Sequence, residues 1–141
     1  MEEALLFGRG ENEIFLKARG HITARHCPAL RDRTGDLENG EGVPRDFFVD
    51  LSECDYMDST FIGVLAGINK RLRKGGKRLI LVAPREECVK LLRGLGVYSL
   101  FGVIDAASAP APGPLERLSA GEDTSAELLL RAHEELMELS P

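Results

Sequence analysis

Apolar residues open the chain in two short runs. Ala4-Leu5-Leu6-Phe7 and Ile14-Phe15-Leu16 flank Gly8-Arg9-Gly10-Glu11-Asn12, which predicts two strands joined by a turn. Thr23 can cap a helix carrying Ala24, Cys27 and Leu30 at helical spacing, with Pro28 near its start where proline costs least. Gly35 to Pro44, rich in glycine and acid, predicts a surface loop. Phe47-Phe48-Val49-Asp50-Leu51 suits a buried strand, and Ser52 to Met57 reads as a linker from it into the next element. A helix should begin near Asp58-Ser59 and end at Gly75-Gly76, because Lys70, Arg71, Arg73 and Lys74 suit the negative end of a helix dipole. Leu79 to Val82 is the core of the next strand. Pro84 signals a helix over Glu86 to Leu95, with Val89, Leu92 and Leu95 at helical spacing, and Leu100 to Ile104 is the last strand candidate.

This order of elements predicts an α/β fold. Strand–helix alternation implies parallel pairing and the opening pair can be antiparallel, giving a mixed β-sheet with helices packed against it. Three segments follow: a domain over 1–105, a linker over 106–121 rich in Ala, Ser and Pro, and a C-terminal amphipathic helix within 122–141. In the last, Thr124 and Glu127 form a capping box. Leu128, Leu129, Leu130, Ala132, His133, Leu136, Met137 and Leu139 share one side of it. Glu127, Arg131, Glu134, Glu135 and Glu138 share the other. The apolar side needs a cover, either its own domain or a second copy of the chain; a homodimer through this helix is the favoured expectation.

Charge narrows the partners. Residues 1–115 carry 16 acidic and 16 basic side chains, so the whole net charge of −5 arises after Leu115. A neutral body with an acidic tail offers no field for nucleic acid. No apolar stretch reaches the length of a membrane span, which argues against direct membrane insertion. Cys27, Cys54 and Cys88 are odd in number and widely spaced, which fits a reducing compartment and predicts a cytoplasmic protein.

Chemistry concentrates in Met57-Asp58-Ser59-Thr60-Phe61-Ile62-Gly63-Val64-Leu65, which follows a buried strand and opens a helix. A helix N-terminus presents unsatisfied N–H groups and positive potential, a favourable place for a phosphate. Phe61, Val64, Leu65, Ile68 and Leu72 form the stripe that should face the sheet. Ser59 points the other way, beside Ile62, Gly63 and Ala66, and small apolar residues around an exposed hydroxyl predict a docking surface. Capping alone would also account for Asp-Ser at a helix start.

The segment resembles the signature of STAS domains, the family named for sulfate transporters and anti-sigma factor antagonists. Val49-Asp50-Leu51-Ser52 and Met57-Asp58-Ser59-Thr60 match its central strand and the Asp-Ser-Ser/Thr motif. Gly20-His21-Ile22-Thr23-Ala24, Gly76 to Val82 and Leu91 to Val97 also fit, so the resemblance covers roughly residues 4–105. Phe61 stands where the best-known antagonists carry glycine. The resemblance implies that Ser59 is a phosphoacceptor, modified by an anti-sigma factor that is itself a serine protein kinase and reset by a phosphatase. Asp58, Ser59, Thr60, Ile62, Gly63 and Ala66 would form the partner-binding set. Alternatives are a soluble subunit of a lipid-transport complex and a scaffold in a signalling assembly.

No cofactor, metal or catalytic residue is expected. His21, His26 and Cys27 lack a fourth ligand and a known ligand spacing. Gly75-Gly76-Lys77 precedes a strand, the reverse of a phosphate loop. Ser59 has no nucleophile-elbow motif around it, and nothing ties a histidine to it as a base.

Overall fold

Consecutive strand–helix–strand units stepping in one direction across a sheet have a fixed consequence: right-handed crossovers put every connecting helix on the same face. The structure, a computed structural model describing residues 2–38, 46–121 and 134–136, follows this rule. The strands are β1 (Ala4–Arg9), β2 (Glu13–Ile22), β3 (Asp46–Met57), β4 (Leu79–Val82), β5 (Gly102–Ile104) and β6 (Glu116–Arg117). The helices are α1 (Cys27–Glu38), α2 (Ser59–Lys74) and α3 (Glu86–Gly94). The sheet order is β5-β4-β3-β2-β1-β6. β2 to β5 are parallel, and β1 runs antiparallel to both β2 and β6. The mixed α/β architecture is therefore the expected one.

Alternate strand residues divide between two cores. Ile14, Leu16, Phe47, Val49, Leu51, Leu79 and Leu81 meet Leu30 of α1, the stripe of α2, and Cys88 and Leu92 of α3 in one buried cluster. On the opposite face Phe15 and Phe48 stack with ring centroids 5.5 Å apart, beside buried Val82.

Three local expectations change. Ser52 to Met57 is strand, not linker: β3 continues to Met57, paired with β2 through shifts in register between Lys17 and Arg19 and between Gly20 and His21. Such bulges break the alternation by which a strand is recognised, and Gly20, at φ 68°, supplies the left-handed conformation one of them uses. α1 runs past Gly35 to Glu38, into the predicted loop; residues 39–44 of that prediction lie outside the described residues. The start of α1 is irregular, with a short 3-10 turn over Ala24–His26 preceding it.

The third change concerns 106–121, which is not a loose linker. Ala109 and Leu115 pack over the Phe15–Phe48 face, and β6 adds to the sheet beside β1. Leu118 is buried, with its N–H donating to the Leu5 carbonyl at 2.8 Å, and Gly121 N–H donates to the Arg25 carbonyl at 2.9 Å. The segment lies so close to β1 that a Cβ on Gly8 would stand 2.7 Å from Leu115 and 2.8 Å from the Pro114 carbonyl. Only glycine leaves that room.

Of the C-terminal helix, residues 134–136 are described, and they are helical. The capping box and most of the apolar side fall outside the described residues. Leu136 is buried in the main core cluster, and Glu135 Oε1 lies 3.4 Å from Arg71 Nη1 on α2. This turn is thus covered by its own domain, where a second copy was expected, and Glu135 faces the protein instead of water. Among the described residues, no helix is long and apolar enough to cross a membrane.

Candidate functional site

The site is built at the end of β3, where α2 begins. Asp58 caps α2: its Oδ1 accepts from Phe61 N–H at 2.8 Å, and the Asp58 carbonyl accepts the first helical bond from Ile62. Its other oxygen, Oδ2, accepts from Ala24 N–H at 2.9 Å, in the turn before α1. The Asp58 N–H donates to the Ile22 carbonyl at 3.1 Å. One half-buried carboxylate therefore joins the starts of two helices, and β2 fixes its backbone.

Ser59, the next residue, is exposed. Helix geometry leaves the Ser59 and Thr60 N–H groups without intrahelical acceptors, so their positive potential is directed outward beside the Ser59 hydroxyl. Two oxygens of Asp58 are already engaged with backbone, which leaves Ser59 as the accessible hydroxyl of the motif. Thr60 is buried at 4% exposure.

The predicted docking surface is corrected here. Ile62, Gly63 and Ala66 are all buried, Ala66 completely. α1 packs against α2, and Leu30, Ile62, Ala66 and Leu136 belong to one core cluster. The physical reason is visible in the helix itself. With Phe61, Val64, Leu65, Ile68 and Leu72 toward the sheet and more apolar residues opposite, α2 is apolar nearly all round, the pattern of a helix buried on both sides. Asn69, also buried, was not singled out by the sequence. Its Nδ2 donates to the Leu100 carbonyl at 3.0 Å and its Oδ1 accepts from Leu79 N–H at 2.9 Å, locking α2 to β4.

The exposed side chains near Ser59 come from the strand ends. His21 Nδ1 lies 3.0 Å from Asp55 Oδ1, and its ring stands 5.6 Å from that of Tyr56. Tyr56 is 39% exposed, unusual for a large hydrophobic residue here. These three end β2 and β3 just before the motif; the sequence does not single out Tyr56 or bring the three together, because the bulges conceal the strand. The signal that could have found them is a tyrosine among acids two residues before the Asp-Ser pair.

Four further titratable groups, Cys27, Cys54, Cys88 and His26, are buried. Burial, then the charge of Asp58, pushes the Cys27 thiol up to about 12. Contact with the Cys88 thiol, and then burial, also raises Cys54. All three cysteines are buried. His26 is buried too, with its Nδ1 3.2 Å from the Thr23 nitrogen and 3.3 Å from the Thr23 carbonyl oxygen. Desolvation lowers the His26 pKa from its ordinary 6.5. Below that value the unfolded chain binds the proton more readily than the folded one. The stability His26 contributes is full above about pH 6.5 and is lost as pH falls toward its folded pKa. Thermal melts from pH 7.5 to 5 should show this slope, and His26→Gln should flatten it; an unchanged slope in the variant would assign it to other groups.

Comparison with known proteins finds matches in sequence and in fold. Residues 5–109 match a family model described as "Mlab, STAS domain". The chain is 30% identical over 95 residues to the anti-sigma-B factor antagonist of Bacillus subtilis (strain 168), covering 67% of this chain and 84% of that protein. It is 27% identical over 95 residues to the protein of the same name from Listeria monocytogenes, covering 67% and 82%. Among solved structures, the anti-sigma factor antagonist SpoIIAA in its unphosphorylated form superposes with a TM-score of 0.61 at 17% identity, over 74% of this chain and 89% of that one. The Bacillus cell fate determinant SpoIIAA in its phosphorylated form gives 0.58 at 17% identity, over 74% and 92%.

Proposed function

Since this chain belongs to the STAS domain family, we propose that it is a non-enzymatic regulatory module, an anti-sigma factor antagonist switched by phosphorylation of Ser59. The observation that carries this reading is the division of labour at the motif: Asp58 is spent on structure, while the adjacent hydroxyl is exposed at the first position of a helix. The partner is an anti-sigma factor acting as a serine protein kinase, with a phosphatase to reverse the modification. The protein works in the cytoplasm.

The switch is electrostatic. A phosphoryl group adds about −1.5 to −2 charges at neutral pH. The helix N-terminus stabilises it, so the fold persists, while Asp55 and Asp58 already make the neighbourhood acidic. A partner surface that fits the neutral hydroxyl then meets concentrated negative charge. Tyr56 and His21 flank this point as the contacts that would read it, aromatic side chains being enriched among interface anchors.

Two variants test this. Ser59→Asp should weaken binding to the cognate kinase, and Ser59→Ala should bind while resisting phosphorylation. Both should melt close to wild type, since exposed substitutions usually shift stability by no more than about 0.5 kcal/mol. Unchanged binding by Ser59→Asp would sink the switch. Co-purification with a transport ATPase in place of a kinase would favour the lipid-transport alternative.

A further inference from the structure

Ser59, Gly63, Gly67 and Arg71 are four residues apart on α2, so they stack along one ridge of the helix. Ser59 and Gly67 are separated by about 12 Å along the axis at the helical rise. Of these four residues only Ser59 is exposed; Gly63 and Gly67 are buried, and the far half of the ridge is occupied. The Glu135 carboxylate stands where a Cβ on Gly67 would be, and Glu135 pairs with Arg71 at 3.4 Å. Leu136, the next residue, is buried in the cluster that holds Ile62 and Ala66.

We propose that the 134–136 turn of this chain is an intramolecular ligand of the α2 ridge, and that a protein partner docking along α2 from Ser59 displaces it. The identity of that partner rests on the Ser59 reading above; occupancy of the ridge by the tail does not. The seat also states the chemistry of the competitor. It is a protein segment carrying a carboxylate for Arg71 and, next to it, an aliphatic side chain for the site of Leu136, the pattern of Glu135-Leu136 itself.

The attachment favours a cover that is held but can be lifted. Gly121 is tied to Arg25 by two bonds, Gly121 N–H to the Arg25 carbonyl at 2.9 Å and Arg25 Nε to the Gly121 carbonyl at 3.3 Å. Arg25 follows Ala24, the residue that Asp58 holds, so the chain at Gly121 is anchored near the start of α2. Because Glu135 and Leu136 belong to the same chain as the ridge, they compete for it at an effective concentration on the order of millimolar. A micromolar competitor with the same contacts loses to it, whereas a partner that also engages the Ser59 end of the ridge can win.

A fluorescein-labelled synthetic peptide of residues 122–141 is the probe, titrated against full-length protein. Wild type, with its seat filled, should show no saturable binding at micromolar concentration. A full-length Glu135→Arg, Leu136→Asp variant, its own tail disabled, should bind the peptide. Adding Arg71→Glu to that variant should weaken binding by about tenfold or more, and a peptide carrying Glu135→Arg should restore it. Equal binding by wild type and the disabled chain would overturn occupancy. Absence of binding by a disabled chain that is folded by circular dichroism would overturn the ligand role. Should that chain not fold, hydrogen exchange on wild type decides. Amides of 134–136 exchanging about tenfold faster than those of 63–71 support a cover that lifts as a local unit; equal rates make the tail an integral part of the core and overturn it. None of these readouts involves phosphate on Ser59, so failure here and failure of the switch are separate results.

Discussion

Ala66→Arg should cost the protein most or all of its stability. Ala66 has no exposed surface, and it lies among Leu30, Ile62, Leu65 and Leu136. Arginine there must overfill a packed core and bury a charge with no partner provided for it. A loss of about 4–5 kcal/mol or more is expected, a large share of the roughly 5–15 kcal/mol that holds a domain together. Urea titration followed by circular dichroism should show the midpoint fall steeply or the folded signal vanish. Lys70→Ala, at an exposed position of the same helix, should shift it little. A wild-type midpoint for Ala66→Arg would mean that this side of α2 is open to solvent, as the residue pattern around Ser59 first suggests.

Asp58→Ala should be the most damaging change within the motif itself. It removes a helix cap, worth about 1 kcal/mol, and strands the Ala24 N–H that Oδ2 satisfies, worth about 1–3 kcal/mol more where it is shielded from water. The combined loss should be about 2–4 kcal/mol. Asp58→Asn keeps one side-chain acceptor and should recover part of it. Ser59→Ala, one residue along, should cost almost nothing. That contrast would assign the fold's dependence on this pair to Asp58 alone. Equal losses at 58 and 59 would show that both residues serve the fold.

Much of this was legible in the residue pattern, for identifiable reasons. β4, α2 and α3 have strong periodicity and clean ends: the cation-rich last turn and Gly75 close α2, and Asp58 opens it. The bulged half of β3 was not legible, because register shifts against β2 remove the alternation. Nor was β6, two residues long and held by pairing to β1 instead of by any apolar pattern of its own. For the site, helix-start chemistry places Asp58 and Ser59 at the opening of α2, and the structure has Asp58 as its cap and Ser59 exposed at its first position. Ile62, Gly63 and Ala66 were placed on an exposed face because a helical wheel shows direction without showing cover. The same wheel carried the correction, since apolar residues on both sides of α2 demand two covers, and α1 and the Leu136 turn supply the second. Glu135 could not have been paired with Arg71 from sequence, 64 residues away along the chain.

The central claim is that Ser59 carries the switch. Its most direct test is intact-mass analysis with phosphosite mapping on the protein isolated from its native cell, alongside Ser59→Ala expressed from the same locus. A single phosphoryl group is expected, mapped to Ser59 and absent from the variant. Phosphate mapped to another residue, or present on Ser59→Ala to the same extent as on wild type, would contradict it.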